Sequence, residues 1–140
     1  MKKNIIILMS LIIISCNNNK TEATIKKIET VDSVLVINGD DKKTLTPYEI
    51  GKFNYAEIVK NINIEKFHSI IEKTALEAKS TCKFVLTYEP KKFDILIKDD
   101  KINILHKYSA KNAMGVPSLL YIETNFSRKG EFIGTKNIEE

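Results

Sequence analysis

The run FDILIKDDKINILHKY, residues 93–108, reads as two strands joined by the two-residue turn Asp99-Asp100. With a turn of that length, Lys98 faces Lys101, and the pairs Ile97 with Ile102, Ile95 with Ile104 and Phe93 with His106 share one face. That face is apolar. The other carries Asp94, Lys98, Lys101, Asn103 and Lys107, with Leu96 and Leu105 as exceptions. One side of the hairpin therefore packs on something apolar, while the other meets water or a partner.

The cover for the apolar side lies just upstream. From Asn63, the residues Ile64, Phe67, Ile70, Ile71, Thr74, Ala75 and Ala78 recur at three- and four-residue steps, with Glu65, Lys66, Glu72, Lys73, Glu77 and Lys79 largely outside the stripe. This period predicts one long amphipathic helix to about Ser80, capped by Asn63. Residues 83–88 then read as a strand and EPKK, 89–92, as a loop.

Downstream, SAKNAMGVP interrupts the pattern with Asn112, Gly115 and Pro117. Residues 118–126 alternate as a long strand, Arg128-Lys129-Gly130 turns the chain, and residues 131–133 form a short last strand ahead of a frayed TKNIEE. Upstream, residues 31–37 are rich in β-branched side chains and end at the turn signal Asn38-Gly39, which marks the first strand. In TLTPYEIGK, Thr46 stands three residues before Glu49 with Pro47 between, the capping-box pattern, which predicts a one-turn helix stopped by Gly51. Residues 53–59 fit a helix or a strand equally well.

The expected fold is α+β: an N-terminal strand, then one long helix packed on a curved antiparallel meander of about four or five strands. In element order this resembles the cystatin-like and roll-type architectures. The Gln-x-Val-x-Gly hairpin that cystatin-type inhibitors push into a protease cleft has no counterpart. Tyr88-Glu89-Pro90-Lys91-Lys92 stands in the corresponding place.

The chain opens MKKNIIILMSLIIISCNNNK. Lys2 and Lys3 precede an apolar run of about ten residues, too short for the roughly 20 that cross a bilayer and of signal-peptide length. It ends in Ile13-Ile14-Ser15-Cys16, which resembles the lipobox of bacterial lipoproteins. The resemblance implies cleavage after Ser15, a diacylglycerol on the Cys16 thiol, and a further fatty acid such as palmitate on the new N-terminus. Two or three acyl chains make a stable anchor where one would be reversible. The competing reading is an ordinary signal peptide followed by a chance cysteine.

Residues 1–15 are then the signal peptide, 16–24 the lipidated cysteine and a polar tether, and 25–140 one α+β domain of about 116 residues. The lack of Asp after Cys16 resembles lipoproteins sent to the outer membrane rather than kept at the inner one.

The sequence has 22 basic and 18 acidic residues, a net charge of +4. Without Lys2 and Lys3 the mature balance is 20 against 18, or +2. Such a small excess argues against nucleic-acid binding, which needs a clustered basic field. There are two cysteines. If the lipobox takes Cys16, Cys82 has no internal disulfide partner and reads as a small buried residue or as a reactive thiol.

His68 has Glu65 at i−3 and Glu72 at i+4, the spacing of a helix-surface charge pair, while His106 borders the hairpin's apolar face. No closely spaced His or Cys ligands appear, so no metal or cofactor is expected. Asp40-Asp41 and Asp99-Asp100 are turn residues and do not match a calcium loop. A phosphate-cradling glycine loop and a Gly-x-Ser-x-Gly elbow are both missing.

No catalytic residue is assigned, and an enzyme is not expected. The expected partner is another envelope protein, met on the polar sheet face at Leu96, Leu105 and Tyr121. The alternative is a small-ligand carrier or sensor with an apolar pocket between helix and sheet.

Overall fold

The computed structural model describes residues 31–51, 58 and 60–138. Ser15, Cys16, the tether and most of residues 53–59 lie outside them. Six strands and one long helix follow in order: β1 Val31–Ile37, β2 Lys43–Ile50, α1 Ile64–Thr81, a 3-10 turn Val85–Thr87, β3 Glu89–Lys98, β4 Lys101–Lys111, β5 Pro117–Ser127 and β6 Phe132–Ile138. The strands form a single sheet in sequence order, β1 to β6.

The fold is α+β, with six strands rather than four or five. The sheet is also mixed. β1 and β2 are antiparallel, β3 to β6 form an antiparallel meander, and β2 runs parallel to β3 across the α1 crossover, pairing Tyr48 with Phe93 and Ile50 with Ile95.

The hairpin register is the one its two-residue turn dictates: Lys98 opposite Lys101, Ile97 opposite Ile102, Ile95 opposite Ile104 and Phe93 opposite His106. Asp99 and Asp100 both hold positive φ, 50° and 60°, the twist that a two-residue hairpin turn requires and that aspartate tolerates. Asn63 caps α1, its Oδ1 accepting from the Lys66 N–H at 2.8 Å. The stripe Phe67, Ile70, Ile71, Thr74, Ala75 and Ala78 is buried as its period predicts, whereas Ile64 is left exposed.

Against that stripe pack Val34, Val36, Tyr48, Ile50, Phe93, Ile95, Ile102, Ile104, Ile122 and Phe126 from the sheet. Each such side chain removed from water contributes roughly 1.5–3 kcal/mol. Among the described residues no helix is long and apolar enough to cross a membrane.

Four local expectations are corrected. The capping box at Thr46 and Glu49 is not a helix: Thr46, Tyr48 and Ile50 are buried in period 2 within β2, and burial outweighs a local signal worth about 1 kcal/mol. Pro47 fits because the parallel pairing with β3 opens only at Tyr48. Residues 83–88 are not a strand. Phe84, Val85 and Leu86 stay exposed while the chain closes a 3-10 turn, with Thr87 N donating to Phe84 O and Tyr88 N to Val85 O.

EPKK begins β3 rather than looping, with an irregularity between Pro90 and Lys92 that accommodates the proline. The last strand is also longer than residues 131–133. Pairing with β5 carries it from Phe132 through Thr135, Lys136, Asn137 and Ile138, so these residues are not frayed.

Candidate binding face

α1 covers one face of the sheet, and strand alternation sends every second side chain to the other. Leu96, Leu105 and Tyr121 all fall on that second face. Leu105 lies between Asp94 and Glu123, Leu96 sits in the row of Asn103 and Asn125, and Tyr121 lies between Lys107 and Ile138. The three therefore run diagonally over β3, β4 and β5. Leu96 is 39% exposed, and Leu105 and Tyr121 are half-buried.

Polar groups hold the surface between them. Lys92 Nζ sits 2.8 Å from Glu49 Oε2 and 2.9 Å from Asp94 Oδ1, and these two carboxylates raise its pKa. The Lys107 ammonium stands 5.7 Å over the Tyr121 ring. Asn103 Nδ2 donates to Asn125 Oδ1 at 2.6 Å and to Glu123 Oε1 at 3.3 Å, and Asn125 Nδ2 donates to the same Glu123 oxygen at 3.3 Å.

Asn103 Oδ1 itself is buried and without a hydrogen-bond partner among the described residues. The face is thus a set of pre-ordered charges and amides around three apolar side chains, suited to recognition by complementary contact. Leu35 and Leu45, opposite each other on β1 and β2, extend it and are also exposed.

The residues with reactive side chains are placed differently. His106 is fully buried, its ring stacked on Phe93 at 4.0 Å between centroids and on Tyr108 at 5.4 Å. Its Nδ1 lies 3.0 Å from the Lys92 carbonyl and its Nε2 2.8 Å from the Tyr88 hydroxyl. The carbonyl only accepts, so Nδ1 carries the proton and Tyr88 donates to Nε2. Burial lowers the imidazole pKa to about 4, against a smaller opposing effect of the Lys92 carbonyl. His106 is a neutral core residue.

Cys82 ends α1 with its thiol donating to Ala78 O at 3.4 Å, and burial raises the thiol pKa, away from the thiolate that reactivity requires. His68 is half-buried beside the rings of Tyr48, at 6.0 Å, and Phe67, at 6.3 Å, rather than in a charge pair with Glu65 or Glu72. Its Nε2 is buried with no partner among the described residues. Nearby, Tyr48 Oη donates to Asp32 Oδ2 at 3.0 Å, and Asp32 is held below the usual carboxylate range by the Ser33 N–H first and by this hydroxyl second.

His68, His106 and Cys82 make no hydrogen bond to one another among the described residues; Tyr88 and Tyr108, which contact the His106 ring, stand between it and Cys82 and feel the charge of the thiolate. Tyr48, Tyr88 and Tyr108 are core residues. The Glu49–Lys92–Asp94 group escaped sequence reasoning because it needs β2 beside β3. The signal for it was the alternation Thr44, Thr46, Tyr48, Ile50, masked by the capping-box pattern. The chain matches no protein-family model, no curated protein and no solved structure.

Proposed function

We propose that this chain is a bacterial lipoprotein, cleaved after Ser15 and anchored through lipid on Cys16, whose α+β domain binds another envelope protein. The sheet face opposite α1, at Leu96, Leu105 and Tyr121, carries the reading, since it offers apolar contacts between side chains already ordered by their neighbours. The address comes from Ile13-Ile14-Ser15-Cys16 and the short apolar run before it. The outer membrane is its destination, as Asn rather than Asp follows Cys16.

A binding role without catalysis is supported by what the reactive side chains do. Both nitrogens of His106 are engaged in the core, and the Cys82 thiol is biased toward its unreactive protonated form. The test is in-cell crosslinking of the full-length protein beside Cys16→Ala and Tyr121→Ala, with co-purifying proteins identified by mass spectrometry. A partner recovered with the lipidated protein and lost from both variants supports the reading. Recovery of the protein alone overturns it.

The carrier reading has one observation in its favour. A cleft of about 320 Å³ lies between α1 and β1, lined by Val36, Ala75 and Leu76 with Lys43 and Glu72 beside them. Leu76→Trp would fill it. A small apolar ligand that binds the wild type and not this variant would establish that role in its place.

A further inference from the structure

Three connections meet at one end of the sheet: residues 38–42, 82–88 and 112–116. Gly39 N donates to Tyr88 O at 2.8 Å, Lys111 N to Thr87 Oγ1 at 2.9 Å, and Lys79 Nζ reaches both Asn38 O and Asp41 Oδ1 at 2.8 Å. The 112–116 turn is fixed internally as well, since Asn112 Oδ1 accepts from Met114 N at 2.9 Å and from Val116 N at 3.1 Å. Large apolar side chains nevertheless stand in water here: Leu86 is 72%, Met114 83% and Val116 53% exposed. Leu86 and Pro117 line one shallow cleft with Lys111, which joins the 3-10 turn to the foot of the 112–116 turn.

Rigid loops that hold apolar side chains in water are pre-ordered for contact, so binding there costs little further ordering. The charges around them are one-sided. Asp40 is paired with Lys42, Asp41 with Lys79 and Glu89 with Lys91, while no acid among the described residues pairs with exposed Lys83 or Lys111. The complement of this rim is acidic.

Chain direction favours a protein over a bilayer as the occupant. β1 enters the sheet at Val31 and reaches the 38–42 turn only after Ile37, so the chain enters the sheet at the end opposite that turn. Seven strand residues span about 23 Å. If Cys16 anchors the chain, as proposed above, Leu86, Met114 and Val116 can point away from that membrane. We propose that this end is a second docking surface, on which Leu86, Met114 and Val116 seat in an apolar hollow of another protein whose rim carries Asp or Glu near Lys83 and Lys111.

The test places a photocrosslinking phenylalanine analogue at Met114, Leu86, Leu96 or Asp99 of the full-length protein in the cells that make it. The expected result is one protein adduct from positions 114 and 86, none from 99 at the far end, and at least a tenfold loss of yield in Lys83→Glu/Lys111→Glu with the thermal midpoint unchanged. Lipid adducts at 114, or a protein adduct indifferent to the charge reversal, overturn the proposal. So does the absence of adducts at both 86 and 114. Adducts at 96 read the sheet face separately, so these surfaces fail or stand independently.

Discussion

Gly39 lies against the backbone of Leu86: a Cβ built on the glycine would stand 2.3 Å from the Leu86 carbonyl oxygen and 2.6 Å from that of Val85. This close approach, with the Gly39 N–H bonded to Tyr88 O, fastens the β1–β2 turn to the segment that leaves α1.

Gly39→Ala therefore forces two backbones apart and is expected to cost about 2 kcal/mol or more. Gly115→Ala meets no atom within 4 Å and strains only a φ of +77°, for a cost of about 1 kcal/mol. Urea unfolding of both variants gives the order. A Gly39→Ala protein as stable as wild type would remove this contact from the account.

His106 makes stability fall with acid. Its folded pKa of about 4 lies below the ordinary 6.5, so the unfolded chain takes up a proton first. The contribution is complete above pH 6.5 and drains away as pH falls through 4. Between pH 7 and 4.5 the wild type is expected to lose about 2 kcal/mol more than His106→Gln, as measured by denaturant melts. Equal losses would mean that His106 is not held neutral.

The two faces of the sheet differ in what truncation does. Ile71→Ala, wholly buried on α1, is expected to cost about 3 kcal/mol through the cavity it leaves, while Leu96→Ala stays within about 1 kcal/mol. Thermal or urea melts decide this. A large loss at Leu96 would show that something presses on the face opposite α1.

Tyr121→Ala leaves the fold in place and removes the ring under Lys107. Its stability is expected to shift by less than about 1 kcal/mol, with partner affinity falling at least tenfold. Affinity is read by titration of the purified partner. Unchanged affinity would move binding off this face.

Legibility followed the length of each pattern. The 93–108 register could be read because two aspartates fix the turn and every residue on one side is apolar or aromatic. The stripe of α1 repeats over about five turns, so its period outweighs the misplacement of Ile64. Leu96, Leu105 and Tyr121 were visible as apolar or aromatic exceptions in otherwise polar rows.

Short segments misled. TLTPYEI satisfies a capping box and a strand at once, and only contact with α1 and β3 decides between them. Phe84, Val85 and Leu86 look like a buried strand, yet the chain keeps them outside. The parallel joining of β2 to β3 is a long-range pairing with no local signature, and with it the Lys92 ion pairs stayed hidden.

The anchor at Cys16 underlies the proposed role, and mass spectrometry of the N-terminal peptide of the protein isolated from bacterial membranes tests it most directly. The expected peptide begins at Cys16 and carries diacylglycerol on its thiol. A mature N-terminus elsewhere, or an unmodified Cys16, would contradict it.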